Sequence, residues 1–559
     1  MDAITLGSSV TRASFVSSAL FLCAVLAPSA GIAQTASLSA PGTPTLLLSS
    51  NAAPSVTSIT PGFTIFGYGA GTTGGTGKPI CAVSDITTPD DYTNPAPGSF
   101  RAIVEEKGNT CCAAQNGCTV TFDGCPGGGC SGTIALHGDV FIKQSNITID
   151  GSTAKNHGIQ FVDFSINLLG GNTIVRYLRH HGHQHNYPAS SPWNLDKQNI
   201  NIVCGDHTVL DHVSSEWGNF KNLTIYTYSD QSGCDQNGNG PPVRNVTVQY
   251  SILAEPIDHS VNILIGGDVG NITFYRNLSA NSADRHPQFA PGAGHDDGTD
   301  PLTGSSYLEF INNIVSSYHY ALRVASRSPS FTTYADAVGN YYQSGQGPES
   351  VDHKIPVLHD FTYHWWQACV GGVRANLYCS GNSDCPGSTC GGVTLRAQGL
   401  TSLYAERNVL LPNAGNHAAD CTTVSTDQTS QCDCDSISTL LNRCVGGSNP
   451  GQGCRSGYDT QDCGVGGTCT LPGNSPCSVG TTADHGVVRA NARQTPHVAP
   501  SDPVYPDVFT AVLDSAGATQ PCRDTLDQRI VNYIRAGTGS QNPGSMPPTA
   551  FPDETLPCP

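Results

Sequence analysis

At 559 residues the chain exceeds the usual size of one compact domain, a limit that elongated repeat folds escape. Only 13% of its residues are charged, against 62 Gly and 37 Pro, which excludes a helical protein dominated by Glu, Lys and Leu. The formal charge of −18 excludes a nucleic-acid surface built from clustered Lys and Arg, but an acidic ligand in a locally basic cleft stays open.

Residues 1–35 read as a signal peptide. Arg12 flanks the short apolar run Phe15 to Leu26, and Ala30-Gly31-Ile32-Ala33 supplies small residues for cleavage. No later stretch reaches about 18 apolar residues, so no membrane span is expected. Loss of Cys23 with the signal leaves 22 of the 23 cysteines. An even, dense set in an exported chain reads as disulfides, and the protein is expected to be secreted.

Residues 36–60, rich in Ser, Pro, Thr and Ala, read as a linker. From 61 to 360 one phrase returns: an Asn followed by alternating β-branched and polar residues. It stands at Asn146-Ile147-Thr148-Ile149, Asn172-Thr173-Ile174-Val175, Asn199-Ile200-Asn201-Ile202 and Asn222-Leu223-Thr224-Ile225. It continues at Asn245-Val246-Thr247-Val248 and Asn271-Ile272-Thr273-Phe274, in steps of 23 to 27 residues. Short period-2 strands at that spacing, without helical segments between them, predict an all-β solenoid of parallel strands. A sandwich would space its strands nearer 8 to 12 residues. Asn suits the corners because it tolerates the left-handed region and can ladder between coils.

Residues 361–480 are a cysteine-rich insertion holding two copies of a four-Cys module. Cys369, Cys379, Cys385 and Cys390 match Cys444, Cys454, Cys463 and Cys469, each copy opening on Cys-Val-Gly-Gly. Loose spacing and the lack of His favour disulfide knots over zinc. Cys111, Cys112, Cys118, Cys125 and Cys130 are expected to staple the solenoid cap, and residues 481–559 to pack back on the solenoid.

The chain also carries Phe66-Gly67-Tyr68-Gly69-Ala70-Gly71-Thr72-Thr73-Gly74-Gly75, Ile174-Val175-Arg176-Tyr177-Leu178-Arg179, Leu210-Asp211-His212, Ser215-Glu216-Trp217-Gly218 and Asp284-Arg285-His286-Pro287. Near its end stands Arg523-Asp524-Thr525-Leu526-Asp527-Gln528-Arg529. In this order these phrases resemble the bacterial pectate lyases, over roughly residues 66 to 345 and 505 to 540. The resemblance implies a right-handed parallel β-helix that cleaves polygalacturonate by β-elimination. It needs a base at C5 and positive charge on the neighbouring carboxylate.

By that resemblance Arg285 is the base. His286 would face the opposite side of an extended strand. Ca²⁺ is the cofactor implied, and its family positions fall on Asp196, Gln198, Phe220 and Thr224; of these only Asp196 is a carboxylate. Asp211 and Glu216 are the neighbouring acids that would complete a metal set. Two cationic anchors of the family fall on Val261 and Ala290. Lys221 is expected to supply the missing charge, with His259 and His286 beside the substrate. Other residues weighed are Trp193, Tyr187, Asp258, Arg323, Arg327 and the imidazoles of Arg179-His180-His181-Gly182-His183-Gln184-His185, a run read as a loop.

The expected partner is an acidic polysaccharide bound by a monomer. The alternative from another class is a non-catalytic carbohydrate-binding β-helix that has lost its calcium site. A hydrolase would need paired carboxylates on one strand face, and none is found there.

Overall fold

The computed structural model describes residues 63–105, 111–112, 116–182, 198–227, 234, 240–257, 261–282, 284–293, 302–318, 321–328, 330–343, short stretches between 357 and 488, and 507–539. The chain divides into Met1–Ala53 and Pro54–Pro559, and every described residue lies in the second unit. The expected signal peptide and linker fall outside the described residues, as do most positions of the cysteine modules.

Each circuit of the chain runs through three short strands. Thr173–Arg176, Arg179–His181 and Gln198–Ile202 make one circuit, and Asp206–Asp211 begins the next directly against Thr173–Arg176. Strands in corresponding positions pair in parallel, giving sheets of 12, 9 and 8 strands among the described residues; these are called sheets 1, 2 and 3 in the order the chain visits them. The fold is a right-handed parallel β-helix. Alternation sends one side chain in two to the interior, where identical positions stack from coil to coil. Ile149, Val175, Leu210, Val248, Phe274 and Phe310 form one such file from sheet 1. Leu168, Ile202, Ile225, Ile265, Phe289 and Val324 form its counterpart from sheet 3. Each buried side chain contributes about 1.5–3 kcal/mol.

The recurrent Asn phrase proves to be two ladders. Asn146, Asn172, Asn245 and Asn271 adopt φ values of 51–61° and turn the chain into sheet 1. Asn172 Nδ2 donates to Asn146 Oδ1 at 2.8 Å, and Asn271 Nδ2 to Asn245 Oδ1 at 3.2 Å. Asn199 and Asn222 instead lead into sheet 3 and stack with Asn262, Asn222 Nδ2 donating to Asn262 Oδ1 at 2.8 Å. A third ladder, Asn277, Asn313, Asn340 and Asn408, lies buried between sheets 1 and 2.

A glycine-rich strap crosses the outside of sheet 1 along the solenoid axis. Tyr68 and Gly69 donate their N–H groups to Thr273 and Thr247, Gly74 to Asn172, and Gly75 to Thr148. The approach is too close for side chains. A Cβ at Gly67 would lie 2.2 Å from Thr273 Oγ1, and one at Gly75 2.2 Å from the Cys118 carbonyl oxygen.

The solenoid does not stop at residue 360. Thr401–Glu406 and Val409–Leu411 rejoin sheets 1 and 2, and Gly486–Val488 pairs with the former. The cysteine-rich region therefore interrupts the coils in two places instead of forming one block. Each module contributes an antiparallel hairpin that sets its outer cysteines opposite one another, Cys369 with Cys390 and Cys444 with Cys469. At the other end, Cys81–Cys111, Cys112–Cys118 and Cys125–Cys130 are bridged, and Cys204–Cys234 closes a longer loop. Helices α1 (Phe100–Val104), α2 (Asp507–Ser515) and α3 (Thr525–Ala536) complete the described structure. The last two lay Val508, Val512, Leu513, Leu526, Ile530 and Ile534 on Ile252, Leu278 and Ile314 of sheet 2.

Candidate functional site

Arg285 stands where the chain enters sheet 3, between a bridge of Asp284 to Val261 and the strand Gln288–Pro291. Its φ of 65° places it in the left-handed region, a conformation stabilised here from both sides. Its N–H donates to Asp284 Oδ1 at 2.7 Å, and its carbonyl accepts from Ile263 at 2.7 Å. The side chain is 25% exposed, with Nε 3.8 Å from Asp284 Oδ2. That same oxygen accepts from Arg323 Nη1 at 2.5 Å. One carboxylate thus holds two guanidinium groups of successive coils near each other.

The outer face of sheet 3 continues this arrangement. Asn167, Asn201, Thr224, Leu264, Gln288 and Arg323 stand in register on one outward file. The neighbouring file holds Tyr226, Gly266 and Ala290, with Arg327 Nη1 donating to Tyr226 Oη at 3.1 Å. Neither file contains a carboxylate. Tyr226 had no place in the sequence reading, though the alternation Leu223-Thr224-Ile225-Tyr226 points it outward.

His286 turns the other way, into the interior. Nε2 meets the Ser282 carbonyl at 2.7 Å and Nδ1 meets Ser279 Oγ at 2.7 Å, which assigns the proton to Nε2. Burial pulls its pKa down to about 4, so the ring is neutral. Ser279 also accepts from Asn262, which makes His286 an extension of the buried Asn ladder and not a substrate ligand. Lys221 opens a strand of sheet 3 but is buried, its Nζ 2.9 Å from the Phe220 ring centroid. The surface cation expected there is a cation–π pair instead.

Asp211 and Glu216, the two described metal candidates, are not brought together. Asp211 ends a strand of sheet 1, where Gln249 Nε2 donates to it at 2.8 Å and Arg176 Nε lies 3.6 Å away. Glu216 ends a strand of sheet 2 and faces α3. Its carboxyl is pushed well above the usual range, first by burial and then by the nearby Asp527 and Asp524. The two acids belong to different sheets. One is engaged by a guanidinium and the other is buried with its carboxyl pushed toward the protonated form, so together they do not fit Ca²⁺, which takes several ionised oxygens at one point. Asp196 and His259 lie outside the described residues, with Trp193, Tyr187, Asp258, His183 and His185. Among the described residues the one close metal-ligand group is Cys81, Cys112 and Cys118, whose sulfurs are in disulfides.

The histidine run is a strand, not a loop, as far as His181. His180 points into the core and stacks near Phe161, while Arg179 and His181 face the C-terminal helices. Burial lowers His180 to about 3 and His181 to about 4.

No family model matches the chain. It is 26% identical over 209 residues to a probable pectate lyase C of Aspergillus fumigatus, covering 37% of this chain and 41% of that protein. A probable pectate lyase C of Aspergillus flavus is 24% identical over 281 residues, 50% of this chain and 53% of the relative. The chain is a right-handed parallel β-helix with a partial likeness to proteins named as probable pectate lyases. It spans about half the length, or less, of these curated relatives, which are fungal and so do not support the bacterial affinity expected from the motifs. Among solved structures, a pectate lyase bound to hexasaccharide is 14% identical with a TM-score of 0.37, covering 82% of this chain and 97% of that one. The cedar-pollen allergen jun a 1 is 14% identical with a TM-score of 0.33, over 51% and 72%. The third sheet carries the candidate site: Arg285 precedes the strand Gln288–Pro291, Arg323 opens the next strand of the sheet and Arg327 follows it.

Proposed function

We propose that the protein is a polysaccharide lyase that cleaves polygalacturonate or a related uronate polymer by β-elimination, with Arg285 as base. The observation that carries this reading is Arg285 itself, partly exposed at the entry to sheet 3 and placed beside Arg323 through Asp284. The relatives named as probable pectate lyases support it.

In the reaction Arg285 takes the C5 proton, the C5–H electron pair forms the C4=C5 double bond, and the C4–O pair leaves with the glycosidic oxygen. Water supplies the proton that the leaving oxygen needs. C5 is acidic enough only if the adjacent carboxylate meets positive charge as the carbanion develops. Arginine is ordinarily protonated, so to act as base Arg285 must give up a proton before it takes that of C5.

The same reading makes the protein an exported monomer whose partner is an acidic polysaccharide. The disulfides suit an oxidising compartment. Among the described residues no helix is long and apolar enough to cross a membrane. The test is ultraviolet absorbance of the unsaturated uronate product during incubation with polygalacturonate. Wild type should produce it and Arg285→Ala should not. Binding of the polymer without product from wild type would replace this reading with that of a non-catalytic carbohydrate-binding β-helix.

A further inference from the structure

Tyr226 and Arg327 are not used by the elimination step, yet their arrangement is specific. Tyr226 lies in register with Gly266, and a Cβ at Gly266 would come within 2.5 Å of Tyr226 Cε2. The ring therefore lies along the sheet over that glycine instead of standing away from it. Its hydroxyl accepts from Arg327, whose backbone N–H is bonded to the Pro291 carbonyl of the adjoining coil at 2.8 Å. The guanidinium thus reaches back across the file of Gly266 and Ala290 to the phenol, whose ring covers Gly266.

We propose that Tyr226 and Arg327 form a carboxylate-binding subsite that holds a uronate next to the one attacked at Arg285, with no divalent cation required. The inference rests on the lyase reading above and names how that site meets its substrate's charge. Three considerations support it. Among the described residues neither outward file of sheet 3 offers a carboxylate, so along these strands a guanidinium is the group that can meet the polymer's charge. A guanidinium presents a planar fork that matches a carboxylate in two parallel hydrogen bonds. The phenol fixes the orientation of that fork through its hydrogen bond from Arg327 Nη1.

The experiment uses the full chain, with Arg327→Gln and Tyr226→Phe variants whose near-ultraviolet circular dichroism and melting temperature match wild type. Binding of oligogalacturonate is measured by calorimetry in chelator and again with added Ca²⁺, and cleavage is measured on polygalacturonate and on its methyl ester. Wild type should bind in chelator, and Arg327→Gln should weaken binding about tenfold, the worth of one charge-assisted contact. The preference in kcat/KM for polygalacturonate over its ester should fall by about the same factor, and Tyr226→Phe should give a smaller loss in the same direction. Unchanged binding and preference in Arg327→Gln would overturn the subsite while leaving the lyase reading intact. Wild-type binding that appears only with Ca²⁺ would also overturn it. Failure of wild type to bind or cleave any uronate polymer would sink both.

Discussion

His286 and Arg285 are neighbours in sequence with opposite surroundings, and that contrast decides what each can do. The imidazole makes two short hydrogen bonds inside the coil stack and titrates at about 4. Its neutral form is fixed at any working pH, so the pH–rate profile of the elimination should show no histidine inflection between about pH 5 and 8. An inflection there that vanished in His286→Gln would contradict the assignment. Replacing His286 with Ala should instead cost about 2–4 kcal/mol of stability, from the cavity and the orphaned Ser279 and Ser282 groups, read by chemical denaturation. The metal candidates fail for a related reason. Asp211 and Glu216 were chosen for their chemistry, but the corner residue His212, at φ 53°, redirects the chain between them. Residue type shows which groups could ligate; the corners decide which sheet each one faces.

At the scale of elements, the strap gives a sharp test of packing against backbone strain. Gly75 is closely faced by the Cys118 carbonyl, whereas nothing lies within 4 Å of the position a Cβ would take at Gly77, whose φ is 73°. Gly77→Ala should cost about 1 kcal/mol through φ alone, and Gly75→Ala about 2–3 kcal/mol or more, compared by denaturant midpoints. Equal losses would mean that the strap is loosely seated. The bridges differ in the same spirit. Cys81–Cys111 and Cys204–Cys234 each close 30 residues, against 6 for Cys112–Cys118. Loop-closure entropy assigns about 3.5 kcal/mol to each long loop and about 2 to the short one. Much of this architecture was legible. The Asn phrases predict strands and corners, and both are present. What they could not reveal is which corner each Asn occupies, because Asn146 and Asn222 head similar phrases but turn into different sheets. Arg179-His180-His181 escaped notice as a strand because three polar residues in a row look solvated until both faces of their sheet are covered, one by the core and one by α3.

Over the whole molecule, the contact between sheet 2 and α3 makes stability depend on pH. Burial and Asp524 push Asp527 up to about 7, while Ser214, Arg523 and Arg179 oppose the shift; Glu216 is raised as well. An acid whose folded pKa exceeds its ordinary value of 3.8 stabilises the fold when protonated, and that contribution is lost as pH rises through about 7. His180, His181 and His286 act with the opposite sign. Depressed from 6.5 to about 3 or 4, they lower stability as pH falls below 6.5. Three such groups outweigh two acids below about pH 6, so the melting temperature should peak near pH 6–7. The Asp527 contribution is lost by about pH 7, so between about pH 5 and 7 Asp527→Asn should steepen the rise of melting temperature with pH; an unaltered slope in the variant would remove Asp527 as a contributor. The strap adds a consequence in time. Tyr68 is made before any coil of the solenoid, yet its partner Thr273 follows 205 residues later. During synthesis the coils can form one upon another while the strap waits, and it can settle only when the strands it crosses have all been laid down. The earliest described segment to leave the ribosome is therefore among the last to find its place.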